Sequence, residues 1–333
     1  MYIYAGIDEA GYGPLLGPLL VARTVFAIPK LEAGPNSDPP NLWQRLSKTV
    51  CRNLTGRRGR IVVNDSKKVK TAAAGIKHLE LGCLSFASLL GRDVQYLDQW
   101  LDLLGEDSHQ NLVALPWYAP TDDRPWEALP ASVTSGEIAI ARSMLMSTCN
   151  RIGVELADLG AAVVFEDKFN RMVTATRSKA ALSFTFVAGH LLHIWQNYGR
   201  HQPQVFVDRQ SGRMRYRELL AMNFPHTHIK VLDESPEYSS YQIETESGQN
   251  HKTMSVHFLV DAEQAHLPVA LASMVSKYTR ELLMARFNHY FRTRLPHIKP
   301  TAGYATDGKR FIEELEPHLP AIGLEKKQLC RML

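Results

Sequence analysis

The sequence predicts an α/β protein, a mixed β-sheet with helices on both faces. Two patterns point to it. The early apolar segments come as a pair around glycine- and proline-rich turns, as hairpins do, and the later ones alternate with stretches of helical period. Size agrees, because 333 residues with 45% apolar content can fill a large core. In order, strands are expected at 2–7 and 19–28, then a loop at 32–41 rich in Pro, Asn, Asp and Ser. A basic loop, 55–60 (TGRRGR), precedes a strand at 61–64, and a helix is expected over 71–90. Residues 107–130 are polar and proline-rich and read as an insertion. A helix at 137–152, a buried strand at 161–165 and an amphipathic helix at 179–198 follow. The short apolar run 204–207 suits a buried parallel strand. Next come a helix at 214–223, strands at 228–232, 238–245 and 254–260, and a long helix at 268–295 with proline in its first turn. A loop and one or two short helices fill the remainder.

Composition narrows the function. A net charge of +4 permits a polyanionic partner without demanding one. Cys51, Cys83, Cys149 and Cys330 are far apart and form no CxxC pair, which fits free thiols in a reducing compartment. The N-terminus carries acids where a signal peptide carries bases. The apolar stretch 15–29 is broken by Pro18, Arg23 and Thr24 and is too short to span a bilayer. A cytoplasmic protein with no membrane partner is expected.

Five segments could carry chemistry. Gly6–Pro14 (GIDEAGYGP) ends a strand in two carboxylates, Asp8 and Glu9, before a glycine-rich turn. Two acids at a strand end suit a divalent cation, although alternate strand residues face opposite ways, so the chain would need to bend to bring them together. A solvated acidic turn reads equally well. Asn64–Lys68 (NDSKK) offers an amide, a hydroxyl and two lysines that could hold phosphate oxygens or could be a solvated basic loop. Asp208 closes the strand 204–207, where open α/β sheets place ligands, though Asp is also a common turn residue. Asp261 and Glu263 precede the helix carrying Ser273 and Lys277, and helix capping would explain them as well. Gly303–Thr306 (GYAT) alone is a turn.

Together and in this order, these segments resemble ribonuclease HII and its relative ribonuclease HIII. Gly6–Pro14 is similar to the family's GIDEAGRGP motif, Asp65–Lys68 to its DSKK loop, and Asp208 to its strand-end aspartate. An acid stands ten positions before the serine of an AAS-type helix, which is Glu263 before Ser273 here. Glutamate there is similar to type HIII, whereas the closing GYAT is similar to type HII. Two departures stand out: Tyr12 replaces the basic residue of the family's Gly-Arg-Gly or Gly-Lys-Gly turn, and Lys309 replaces a downstream histidine.

The resemblance implies a ribonuclease H-like mixed five-stranded sheet flanked by helices, with insertions and a helical C-terminal part. The expected catalytic domain is 1–295, with extra material near 31–60, 91–155 and 234–252, and a C-terminal extension is expected at 296–333. It implies an endonuclease that hydrolyses the RNA strand of RNA/DNA hybrids, or of ribonucleotide-containing duplex DNA, leaving 5′-phosphate and 3′-hydroxyl ends. Asp8, Glu9, Asp208 and Glu263 would bind two Mg²⁺ or Mn²⁺ ions. Gly11, Tyr12, Gly13, Asn64, Ser66, Lys67, Lys68, Ser273, Lys277 and Tyr304 would contact substrate, Tyr304 by stacking at an RNA-to-DNA junction. The pairs His190/His193 and His226/His228 lack further ligands and read as ordinary histidines. Phe184, Phe186 and Trp195 read as core, and Glu166 or Asp167 is an alternative third carboxylate. A hybrid-binding relative without catalysis, and an actin-like ATPase, are the rival readings.

Overall fold

The structure, a computed structural model, describes residues 1–29, 39–105, 112, 115–209, 212–245 and 251–332. Most of the expected loop at 32–41 and parts of the segments 107–130 and 234–252 lie outside them. Nine strands are present among the described residues: β1 (Tyr2–Ala10), β2 (Leu19–Ile28), β3 (Val50–Cys51), β4 (Ile61–Val62), β5 (Glu155–Val164), β6 (Gln204–Asp208), β7 (Thr227–Glu234), β8 (Tyr238–Thr245) and β9 (Thr253–Leu259). The main sheet runs β5-β2-β1-β6-β9-β8-β7. β1 pairs antiparallel with β2 and β2 with β5, while β1, β6 and β9 are mutually parallel. These five form the mixed sheet of a ribonuclease H-like fold. The count of five is corrected to seven, because the antiparallel hairpin β7-β8 extends the same sheet beyond β9. β8 is the strand expected at 238–245 and lies within the segment 234–252 read as extra material.

The helices that shape the site are α1 (Ser66–Val69), α2 (Lys77–Ala87), α3 (Ser135–Ile152), α4 (Glu166–Thr176), α5 (Lys179–Tyr198), α6 (Ala262–Ala265), α7 (Leu267–Arg294) and α8 (Ala305–Leu315). α2 starts six residues later than expected, because 71–75 close a tight turn in which Gly75 has φ +55°. α3 starts in a capping box between Thr134 and Glu137. The helix α4 was not foreseen.

Two apolar layers sandwich the sheet. Ile3, Ala5 and Ile7 pack on one face with Val187 and Leu191 of α5. Tyr4 and its neighbours on the other face pack with α7, the central helix of the larger cluster. α7 lies tight against β1 because Gly6 has no side chain: a Cβ there would sit 2.2 Å from the Val269 nitrogen. Thr24 on β2 donates to the Pro268 carbonyl (2.8 Å) and fixes the same end of α7. Among the described residues of the segment 107–130, Trp117 and Tyr118 are fully buried. Arg286 of α7 holds it by donating to the Tyr118, Ala119 and Pro125 carbonyls. The buried Glu80 carboxylate accepts from the Ala131 and Val133 amides (2.7 and 2.9 Å) and from the Tyr278 hydroxyl (2.8 Å). No helix among the described residues is long and apolar enough to cross a membrane.

Candidate active site

Three strand and helix ends meet at the carboxyl edge of the parallel strands. Ile7 pairs with Val207, so Asp8 and Asp208 stand side by side at the ends of β1 and β6. The turn after β9 delivers Glu263 on α6, and the Asp208 carboxylate accepts the Ala262 amide (3.1 Å), fixing that turn against β6. Asp8, Glu9, Asp208 and Glu263 all line one cleft of about 260 Å³.

The bend expected between Asp8 and Glu9 is not needed, since β1 stays paired through Ala10. Alternation puts Asp8 on the α7 face, where Ser276 donates to its backbone carbonyl (3.2 Å), and Glu9 on the α5 face, where Ser183 donates to its carboxylate. The cleft covers the strand end and is reached from both faces. Gly11 then turns the chain at φ +87°, and a Cβ there would lie 2.6 Å from the Pro18 carbonyl.

The turn 11–18 is built from below. Arg331 donates to the Gly11, Tyr12 and Pro14 carbonyls (2.6, 2.9 and 2.5 Å), and Arg280 of α7 to those of Pro18 and Leu16 (2.7 and 3.0 Å). Glu166 lies with them, accepting from the Gly17 amide (3.1 Å) and the Tyr118 hydroxyl (2.9 Å). Burial, and then the neighbouring Arg280, push the Arg331 guanidinium down to about 9. Glu166 is thus a buried partner of this network and does not line the cleft. Asp167 is exposed and pairs with Arg171. Neither lines the cleft, so neither takes the place expected of Asp208.

Of the expected substrate contacts, Gly11, Tyr12, Gly13, Ser66, Lys67, Ser273, Lys277 and Tyr304 line the cleft. Ser273 donates to the Ser66 hydroxyl (3.0 Å), which ties the DSKK loop to α7. Lys277 also pairs with Glu281 (2.8 Å), and Lys277 and Arg280 each sit 5.7 Å from the centre of the Tyr304 ring, which is 44% exposed. Asn64 and Lys68 do not line it. Asn64 is buried, bonding the Arg52 carbonyl and the Asp65 amide, while Lys68 faces solvent. Asp65, Arg280 and Arg331 were missed as site residues. Asp65 lines the cleft and accepts the Lys67 amide (2.9 Å). Its place in the DSKK segment was the available signal; nothing local marks the two arginines.

The histidine pairs take other work. His190 bonds the Val21 carbonyl through Nε2 (2.8 Å) and accepts Arg23 at Nδ1 (3.1 Å), and burial, then Arg23, hold it neutral at about 3. His193 pairs with Asp158 (3.0 Å). His226 has φ +63° before β7, and His228 is exposed on that edge strand. Phe184 and Trp195 are core, and Phe186 is partly buried against it.

Electrostatically the cleft is strained. Burial, then the charge of Asp208, raises Asp8 well above the usual carboxylate range. Burial, then Glu263, raises Asp208 to about 7, and burial, then Asp65, raises Glu263. The Glu263 Oε2 is buried without a hydrogen-bond partner. Like charges held this close need a cation or protons. Among the described residues, no three His, Cys, Asp or Glu side chains are already drawn together tightly enough to hold an ion. The donor set nonetheless fits a hard divalent cation: it is all carboxylate, with Asp8 and Glu263 buried and Glu9 and Asp208 half-buried, mutually repelling, and has an oxygen to spare.

No family model and no curated protein matches the chain. Among solved structures, it is similar to one described as the PCNA:RNase HII complex from Archaeoglobus fulgidus (16% identity, TM-score 0.42, covering 99% of this chain and 94% of that one). It is also similar to the ribonuclease H2 of Pyrococcus horikoshii (17%, 0.40, covering 98% and 92%) and to Bst-RNase HIII in complex with Mn²⁺ (12%, 0.43, covering 100% and 66%). The strand order carries the fold, and the convergence of carboxylates carries the site.

Proposed function

We propose that this ribonuclease H-like protein is a metal-dependent endonuclease that hydrolyses the RNA strand of RNA/DNA hybrids, leaving 5′-phosphate and 3′-hydroxyl ends. The observation that carries the proposal is the meeting of Asp8, Glu9, Asp208 and Glu263 in one cleft, walled by the glycine turn, Lys67 and Tyr304.

In this reading Asp8, Asp208, Glu263 and Glu9 hold two Mg²⁺ or Mn²⁺ ions. When bound, these ions supply an activated water and a stabilised leaving oxygen for in-line displacement at phosphorus. The protein's own residues do the rest. Ser183 orients the Glu9 carboxylate, and the Ala262 amide orients that of Asp208. The turn Gly11–Gly13, with its Gly11 and Tyr12 carbonyls occupied by Arg331, approaches the 2′-hydroxyl that distinguishes RNA from DNA. Lys67 and Ser273 position phosphate, which fixes register without reading sequence. Tyr304 offers a stacking face at the edge of the cleft.

The test is incubation with a labelled RNA/DNA hybrid and with a DNA duplex holding one ribonucleotide, with Mg²⁺, with Mn²⁺ and with EDTA. Metal-dependent cutting of the RNA strand that vanishes in Asp8→Asn supports the proposal. Binding that survives EDTA, with no cleavage in either metal, sinks it.

A further inference from the structure

The sharpest charge asymmetry in the chain lies beside the cleft. Residues 41–70 carry nine lysines and arginines against one acid, Asp65, a net of +8 in a chain whose total is +4, so the rest of the molecule is net −4. Lys48, Arg52, Arg58, Lys67 and Lys68 are exposed, and among the described residues only Lys70 of the nine has an ion-pair partner, Glu281.

This basic lobe is built, and it is fastened to the site. The loop 55–60 turns through Gly56 (φ +69°), Arg58 (φ +48°) and Gly59 (φ +80°), and both glycines have open space where a Cβ would be. The Arg60 guanidinium ties the loop by donating to the Arg57, Ser47 and Gly56 carbonyls (3.1, 3.2 and 3.2 Å). β3 pairs with β4, which leads into the short helix α1 carrying Lys67, and Trp43 donates to the Val63 carbonyl (2.8 Å). Arg52 lies over the Trp43 ring (4.4 Å) and donates to the carbonyl of Gln264, the residue after Glu263.

Resting on the nuclease reading, we infer that this lobe is a second nucleic-acid contact, gripping the phosphate backbone of the duplex beyond the cleaved nucleotide without reading its sequence. Phosphates are the partner that suits bases lacking acids of their own, and continuity with Lys67 puts the lobe on the track of a duplex entering the cleft.

The test is anisotropy of labelled all-DNA and RNA/DNA duplexes with the full-length protein in EDTA, over roughly 50–200 mM NaCl, where each phosphate contact contributes about 0.9 to the log–log salt slope. Arg57→Ala with Arg58→Ala should lower that slope by about 2 and weaken both duplexes about 10-fold or more. The paired lysine substitutions should restore the slope, and Arg292→Ala with Lys299→Ala, in the last turn of α7 and just beyond it, should leave it unchanged. With metal present, KM should rise in the alanine pair while kcat holds. An unchanged slope, or an equal loss in the control pair, overturns the inference. So does labelled polyglutamate binding as tightly as duplex and depending on Arg57 and Arg58, which would make the lobe a dock for acidic protein. Lobe-dependent duplex binding without any cleavage would sink the nuclease reading and leave the lobe standing; cleavage with lobe-independent binding would do the reverse.

Discussion

Asp208→Asn should stabilise the protein while removing its activity. Burial, then the charge of Glu263, holds the Asp208 carboxyl at about 7, well above its ordinary value of 3.8. An acid whose folded pKa is raised binds its proton more tightly when folded, so stability falls as pH climbs from the unfolded pKa to the folded one. The full shift corresponds to about 4 kcal/mol at 1.36 kcal/mol per unit. Part of it is Glu263's repulsion, which Glu263 can relieve by taking up the proton instead, so about 2 kcal/mol is expected. Asparagine carries no charge at any pH, and for a chain this long about 2 kcal/mol corresponds to roughly 2–4 °C in Tm. The assay is thermal unfolding of both proteins in EDTA across pH. The variant should melt higher at pH 8, the gap should close towards pH 4, and Mg²⁺ should raise the wild type more than the variant. A variant less stable than wild type at pH 8, or a gap indifferent to pH, would refute the argument that the carboxylates repel one another.

Glu263→Gln should lose about 100-fold or more in cleavage, while Asp261→Asn, exposed and outside the cleft, should stay near wild type in the same metal; the reverse order would show that the ten-residue spacing to Ser273 selects the wrong acid. Tyr304→Ala should reduce cutting at a single embedded ribonucleotide more than cutting of continuous hybrid, since stacking contributes about 1–3 kcal/mol per base; equal losses would remove the junction role. Arg331→Ala strips the Gly11, Tyr12 and Pro14 carbonyls of their donor and should cost about 3 kcal/mol in denaturant unfolding together with most of the activity; a stable, active variant would show that the turn holds itself.

The parts legible in the sequence were those written locally. Apolar runs marked a part of each of the seven strands of the main sheet, although β5 begins at Glu155, well before the run at 161–165, and β8 needed only its place in the sheet to be known. Acids at strand ends or before an apolar helix made Asp8, Glu9, Asp208, Asp261 and Glu263 candidates, but each also read as a turn or cap, and only the order of the motifs and the ten-residue spacing to Ser273 in the family resemblance singled out Asp8, Glu9, Asp208 and Glu263. What was hidden depends on tertiary partners. Trp117 and Tyr118 sit in a proline-rich stretch, and their burial follows from Arg286, far along the chain, taking up its carbonyls. Arg280 and Arg331 look like surface bases until the turn folds over them. Glu166 has a carboxylate's chemistry but points into that buried network, a choice made by Tyr118 and the Gly17 amide. The bend expected after Asp8 proved unnecessary because a cleft capping a strand end is open to both faces of it.

The central claim is tested most directly by one measurement: cleavage of a strand-labelled RNA/DNA hybrid by wild type and Asp8→Asn in Mg²⁺ or Mn²⁺, with product ends mapped and the variant's fold checked by its unfolding transition. The expected result is cutting of the RNA strand alone, with 5′-phosphate and 3′-hydroxyl ends, falling by about 100-fold or more in a variant that remains folded. Undiminished cutting by folded Asp8→Asn, or no cutting of the hybrid by wild type in either metal, would contradict it.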